Sequence, residues 1–197
     1  LFKLFSIYPD VVFGKGGYAS FPTILAARIL HIPVLIHDSD SIPGRVNKWA
    51  GHFAKRIAVS FKEVVTYFSQ KNIAWTGHPI RIEIEHPASY EEALQYFKLE
   101  SNLPTIFIIG GSQGAELINN TIIDALPRLV KNYQIIHQTG VNNFKNVFGR
   151  AQVVLAQSKE KVRYLSFPFL NPLALKMAAG ASKIIVSRAG SAIFEIA

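Results

Sequence analysis

Pro104–Asn119 reads PTIFIIGGSQGAELIN. Thr105 to Ile109 is a short apolar run, and Gly110-Gly111-Ser112-Gln113-Gly114 carries it directly into a helical pattern. A strand that turns through glycines into a helix leaves backbone N–H groups unpaired at the helix start, where glycine lets a ligand come close. The positive end of the helix dipole then favours an anion, most often phosphate. Ser112 adds a hydroxyl donor beside those amides. The bland alternative is an ordinary strand-to-helix turn with no ligand.

Outward from this turn the same alternation recurs. Strands are expected at Val11–Phe13, Val34–His37, Arg56–Ser60, Ile73–Thr76, Ile106–Ile109, Gln134–Gln138, Val162–Ser166 and Lys183–Ser187. Most are continuous apolar runs without polar alternation, the mark of parallel strands covered on both faces. Helices are expected at Thr23–Leu30 behind Pro22, at Pro43–Ala54 and at Phe61–Gln70. After the glycine turn, Ile118, Ile122, Ala125, Leu126 and Leu129 fall on one helical face. Repeated strand–helix–strand units imply an α/β fold of doubly wound parallel sheets. The rhythm breaks between about Glu83 and Leu103: Ile80, Ile82 and Ile84 alternate with charged residues like a strand, and a charged helix, Tyr90–Leu99, follows. The expected organisation is two α/β halves, residues 1–85 and 103–197, joined by a linker over 86–102.

The composition narrows the function. The chain has 197 residues, 49% of them hydrophobic, so a core can form. It has no cysteine, which excludes disulfides and cysteine–zinc sites. No apolar run reaches the roughly 20 residues that span a bilayer. The net charge of +8 suits an anionic ligand or an anionic membrane surface. Nucleic acid fits less well, because no helix carries a basic face with interleaved aromatics. The chain opens at Leu1 and stops within the helix-like IFEIA, so a fragment is expected.

Two further turns carry the same chemistry. PDVVF runs into Gly14-Lys15-Gly16-Gly17-Tyr18 and then a helix, a second candidate phosphate loop with Lys15 as an added charge. Three glycines can also simply shape a turn. Near the end, Lys183–Ser187 leads into Arg188-Ala189-Gly190-Ser191-Ala192-Ile193-Phe194-Glu195. A carboxylate at Glu195 can accept two ribose hydroxyls, and Arg188 can offset phosphate charge. Neither glycine turn matches G-x-G-x-x-G, and no G-x-x-x-x-G-K-[ST] occurs. His37 ends an expected strand, where ligands gather in open α/β sheets, and is a possible site residue. His31, His52, His86 and His137 lack metal-ligand spacing and are expected to be packing or surface residues.

Five blocks, in order, resemble the MurG family of bacterial glycosyltransferases: PDVVFGKGGYASFP, IPVLIHDSDSIPGRVNKWA, TGHPIR, GGSQGAELIN and SRAGSAIFEIA. The resemblance runs through nearly the whole chain. It implies a two-domain GT-B enzyme that moves N-acetylglucosamine from UDP onto the undecaprenyl-linked muramyl-pentapeptide precursor of peptidoglycan. Transfer would be a single inverting displacement with no metal or other cofactor, at the cytoplasmic face of the cell membrane as a peripheral protein. Cell wall biogenesis, cell shape and cell division would depend on it. The resemblance also implies residue roles. Ser112, Gln113 and Gly114 would hold the donor diphosphate, and Arg81 would reach the nucleotide. Leu170 would meet the uracil through its backbone. Arg188, Ser191, Ala192 and Glu195 would line the donor, and Gly14, Lys15, Gly16, Gly17 and Tyr18 would face the acceptor diphosphate.

This chain departs from the family at particular places. Asp40 stands in His37-Asp38-Ser39-Asp40 where the family has an asparagine that contacts the sugar, and His78 replaces another asparagine. The spacing from Arg188 to Glu195 is one residue short. The family's histidine-bearing first glycine loop, often proposed to supply the base, is expected before Leu1. The sugar-recognising glutamines are expected after Ala197. The 197 residues alone are therefore expected to be inactive. An apolar membrane-docking face with basic edges is expected from Leu1, Phe2, Lys3, Leu4 and Phe5 together with Arg28, Ile29, Leu30, Lys48 and Trp49. The alternatives are another GT-B UDP-sugar enzyme, whether transferase or epimerase, and a non-catalytic nucleotide-binding homologue.

Overall fold

The computed structural model describes residues 2–69, 72–80, 86–111, 113–188, 190 and 194. The chain divides into two compact units, Leu1–Pro79 and Ile80–Ala197.

The first unit holds four parallel strands in the order β1-β2-β3-β4. After helix α1 (Phe2–Ile7) come β1 (Val12–Gly14), α2 (Phe21–Ile29), β2 (Val34–Asp38), α3 (Arg45–Ala50), β3 (Arg56–Val59) and β4 (Ile73–Trp75). Pro22 sits in the first turn of α2, where its missing N–H costs nothing. That helix stops at His31, whose φ of 57° is left-handed, just before Ile32-Pro33. Its inner face delivers Ile24 and Ala27 to a core shared with Ile36, Ile57 and Val59 of the sheet.

Two expected helices are shorter than their sequence suggests. Gly44 and Gly51 flank α3, so the regular helix covers only Arg45–Ala50 of the expected Pro43–Ala54. In place of an α-helix over Phe61–Gln70, a 3-10 helix spans Lys62–Tyr67. It contains the β-branched run Val64-Val65-Thr66, which loses rotamer freedom in an α-helix. The Thr66 hydroxyl also donates to Glu63 O at 2.8 Å, a local bond that competes with the regular ladder.

The second unit begins with α4 (Tyr90–Phe97). Ser89 and Glu92 form a reciprocal capping box at its start, and Lys98, with a φ of 55°, ends it. Ala93 and Phe97 of this helix pack into a core with Phe107, Ile136, Leu170 and Leu175, so part of the stretch read as linker is structural. There follow β5 (Thr105–Ile109), α5 (Glu116–Leu129), β6 (Gln134–Gln138), α6 (Phe144–Val154), β7 (Tyr164–Phe167), α7 (Pro172–Ala181) and β8 (Ser182–Ser187). All four strands are parallel, in the order β7-β6-β5-β8. Every residue of β5 and β6 is buried, as in parallel strands covered on both faces; in β6 this includes the polar Gln134, His137 and Gln138.

Strand β7 starts two residues later than expected. Lys161–Arg163 forms a 3-10 turn instead, and Arg163 is held there by Glu100 at 2.9 Å and by the carbonyls of Val130 and Lys131. On α5 the buried residues are Asn119, Ile123 and Leu126, while Ile118, Ile122 and Leu129 are only partly buried. The apolar stripe is thus rotated by about one residue from the expected face. The expected strand at Ile80, Ile82 and Ile84 lies largely outside the described residues.

Candidate functional site

In the second unit the registers align the carboxyl ends of neighbouring strands. Ile109 pairs with Gln138 on one side and with Ser187 on the other, and Gln138 pairs with Phe167. The loops after β5, β6, β7 and β8 therefore emerge along one edge of the sheet, the edge where ligands bind in open α/β folds.

The loop after β5 is shaped from behind by the loop after β6. Gly114 has a φ of 79°, and a Cβ placed on it would lie 2.2 Å from Thr139 O. No side chain fits there. Asn143 Nδ2 donates to Gln113 O at 3.3 Å, and Gln138 Nε2 donates to Gly111 O at 3.3 Å. Ala115, at the cap position of α5, supplies no side-chain oxygen to the first-turn amides. Gln113 stays exposed in front of this uncapped helix start. The exposed Arg188, just after β8, brings a guanidinium nitrogen to 3.3 Å from where a Gly111 Cβ would be. A positive helix end and a guanidinium thus meet at one glycine turn, an arrangement that attracts phosphate oxygens.

A buried polar network lies beneath that turn. Asn119 Nδ2 donates to Thr139 O at 3.0 Å, which leaves its Oδ1 to accept from His137 Nε2 at 3.0 Å. The other ring nitrogen, Nδ1, then accepts from the Tyr164 hydroxyl at 2.9 Å. His137 is completely buried, and burial pulls its pKa from 6.5 to about 4. Burial likewise pushes the Tyr164 phenol up. The ring is therefore neutral at pH 7, in the tautomer with its proton on Nε2.

In the first unit, Gly14 ends β1, and Lys15 and Tyr18 are exposed. Gly16 has a φ of 84°, and its Cα faces the Asn47 amide so closely that a Cβ would lie 2.8 Å from Nδ2. Asn47 Nδ2 donates to Asp38 Oδ2 at 2.8 Å and to His37 O at 3.3 Å. This ties the end of β2 to α3 directly beneath the glycine loop. His37 is buried at the end of β2, with Nε2 3.3 Å from Ser60 Oγ and 3.4 Å from Gly77 O. Its Nδ1 is buried without a hydrogen-bond partner. Asp40 is exposed, and its N–H donates to Asp38 Oδ1 at 3.1 Å.

The match to family models decides the assignment. The glycosyltransferase family 28 C-terminal domain matches residues 105–197, and the N-terminal domain of the same family matches residues 2–59. The chain belongs to glycosyltransferase family 28. Among curated relatives, an enzyme of Bacillus thuringiensis (strain Al Hakam) named UDP-N-acetylglucosamine–N-acetylmuramyl-(pentapeptide) pyrophosphoryl-undecaprenol N-acetylglucosamine transferase 3 is 36% identical over 98% of this chain and 52% of its own length. A transferase of the same kind from Thermoanaerobacter sp. (strain X514) is 38% identical over 93% of the chain and 49% of its own length. The crystal structure of Acinetobacter baumannii MurG superposes with a TM-score of 0.64 at 27% identity, covering 97% of this chain and 50% of that one. The UDP-GlcNAc 2-epimerase of Neisseria meningitidis has a TM-score of 0.63 at 15% identity, over 96% of this chain and 57% of its own, a likeness of fold alone. The chain spans about half the length of the curated relatives it matches.

Within this family 28 chain the Arg188 guanidinium lies against Gly111, in the same loop as Gln113 and Gly114. Leu170 is buried on the far side of β6, and its N–H already donates to Gln138 Oε1 at 2.9 Å. Gly14 to Tyr18, His37 and Asp40 belong to the first unit. Arg81, Ser112, Ser191, Ala192 and Glu195 lie outside the described residues. His31, His52 and His86 are exposed, and among the described residues no group of three or more His, Asp or Glu could hold a metal ion.

The sequence reading missed Asn47, Gln138 and Asn143, the residues that hold the two glycine loops in shape. Gln138 left a signal: it is a polar residue closing a strand at the ligand edge.

Of the residues expected on an apolar face, Leu1 lies outside the described residues. Phe2, Phe5 and Ile29 are exposed, but Leu4 and Leu30 pack against the core of the first unit. Trp49 also packs there, between Phe21 and Phe53, with Arg28 over the Phe53 ring at 4.5 Å. Beside it, Tyr18, Phe21, Pro22, Arg45, Val46 and Trp49 line an apolar groove of about 330 Å³.

Proposed function

We propose that the whole protein transfers N-acetylglucosamine from UDP-GlcNAc to the undecaprenyl-diphospho-muramoylpentapeptide acceptor in peptidoglycan synthesis. The observation that carries this reading is the guanidinium of Arg188 over Gly111, at an uncapped helix start, within a family 28 C-terminal domain. The curated relatives are named for this reaction.

In the proposed reaction an acceptor hydroxyl oxygen attacks the anomeric carbon of the donor sugar. The bond from that carbon to the UDP oxygen breaks, UDP leaves with the electron pair, and the hydroxyl proton passes to a general base. The first-turn amides of α5 and Arg188 stabilise the charge that grows on the leaving diphosphate. Ser112 adds its hydroxyl to this group, while Arg81, Leu170, Ser191, Ala192 and Glu195 take the nucleotide and sugar contacts. The loop Gly14–Tyr18 faces the acceptor diphosphate, and Asp40 takes the place of the family's sugar-contacting asparagine. No resident metal is required, as in the family pattern.

The acceptor is lipid-linked, so the protein docks peripherally on the anionic cytoplasmic surface of the membrane. Exposed Phe2, Phe5 and Ile29, the groove beside Trp49 and the basic Arg28, Arg45 and Lys48 support this. Among the described residues no helix is long and apolar enough to cross a membrane. Flotation of the complete protein with vesicles is expected to require anionic lipid; equal flotation with neutral vesicles contradicts the docking model.

The test of the reaction is incubation of the full-length protein with UDP-GlcNAc and a short-chain analogue of the lipid-linked acceptor. UDP release and a β-linked disaccharide are expected only when both substrates are present. Conversion of UDP-GlcNAc to its C2 epimer without acceptor would assign the protein to a different activity.

A further inference from the structure

We propose that Gln138 is a positioning residue that couples the diphosphate loop to the loop expected to meet the nucleobase. The inference rests on the donor-site reading above and names a residue to which that reading gives no role.

The topology creates the opportunity. Strand β6 lies between β5 and β7, so the residue that closes β6 sits between the loops that follow its two neighbours. Gln138 is that residue, and its side chain is buried with 3% exposure. Its amide uses both ends. Nε2 donates to Gly111 O in the loop after β5 at 3.3 Å, and Oε1 accepts from Leu170 N–H in the loop after β7 at 2.9 Å. The orientation of the amide is fixed by its partners, because a carbonyl needs a donor and an N–H needs an acceptor.

Other contacts fasten one loop at a time. Asn143 holds Gln113 O, and Thr139 Oγ1 holds Phe167 O. Gln138 bonds to both loops with one rigid planar group. A shift of Gly111 when a diphosphate settles over it therefore changes the hydrogen bond that fixes Leu170. Each half of a nucleoside diphosphate then finds its loop already set by the other half. The binding gain from joining the two halves exceeds what either fragment supplies alone.

Two substitutions separate this coupling from simple packing. Gln138→Met keeps the chain length and removes both hydrogen bonds. Gln138→Glu keeps an oxygen for Leu170 N–H but sets a carboxylate against Gly111 O. Calorimetry on the full-length protein with UDP, uridine and inorganic pyrophosphate gives the affinities. For Q138M the UDP affinity is expected to fall about tenfold, while uridine and pyrophosphate each change less than about threefold. For Q138E, UDP and pyrophosphate weaken together and uridine is spared. In wild type, pyrophosphate alone moves the Leu170 amide resonance; in Q138M it does not.

Thermal melts accompany each variant. Equal losses for UDP and for both fragments overturn the proposal, as does a Leu170 response in Q138M that matches wild type. Failure of both variants to fold would make Gln138 a purely structural residue and overturn it as well. A wild-type protein that binds no UDP refutes the donor-site reading itself, a different result from a wild type that binds while Q138M behaves identically.

Discussion

Acid will weaken this protein through a single buried ring. His137 has no exposed surface, and its pKa in the folded state is about 4 against an ordinary 6.5. The unfolded chain therefore takes up a proton that the folded chain refuses. The stabilisation from keeping the ring neutral is fully present above pH 6.5 and drains away as pH falls toward 4. The gap of 2.5 pH units between those values, at 1.36 kcal/mol each, amounts to about 3 kcal/mol. That is a large share of the stability of an ordinary domain. Acid acts on the rest of the chain as well, so a control that lacks only this ring is needed. His137→Gln supplies one, since an amide can donate to Asn119 Oδ1 and accept from Tyr164 without titrating. Urea unfolding of both proteins from pH 7.5 to 4 is the assay. Wild type is expected to lose about 3 kcal/mol more than H137Q across that range. Parallel pH profiles would refute the reasoning, and so would an imidazole ¹⁵N titration of His137 with a midpoint near 6.5.

Three further substitutions follow from the loops. Gly114→Ala forces a left-handed alanine against Thr139 O and is expected to cost about 2–5 kcal/mol in denaturant unfolding, with loss of UDP binding. Asn47→Ala leaves the buried Asp38 carboxylate without its 2.8 Å donor and is expected to cost about 2 kcal/mol; Asn47→Asp, which sets two carboxylates together, should cost more in the same measurement. Arg188→Gln removes the guanidinium above Gly111 and is expected to weaken UDP about tenfold by calorimetry, with a shallower salt dependence and an unchanged melt.

Much of the framework was legible because apolar runs and glycine punctuation act locally. Gln134–Gln138 was read residue for residue, and the other described strands within one or two positions at either end. The misplacements have physical causes outside the local pattern. Arg163 is captured by Glu100 and two carbonyls from other elements, which delays β7. The buried stripe on α5 turns toward Asn119 because a polar partner, His137, waits beneath it. Periodicity counts apolar residues and cannot see a buried amide.

The site was legible only as far as main-chain shape allowed. Glycine turns after strands marked the loops, and the SRAG block led to Arg188. Of the residues that support the loops, Gln138 and Asn143 bond to carbonyls 27 and 30 residues away, and Asn47 to a carboxylate nine residues back, across the turn after β2. Nothing in their immediate neighbours announces those partners.

The most direct test of the central claim is a chemical-shift map of the full-length protein as UDP is added. The largest changes are expected on the amides of Gly111, Gln113, Gly114 and Leu170 and on the Arg188 side chain, with Gly16 and Gly17 little affected. Saturable UDP binding that leaves the loop after β5 unmoved would contradict it.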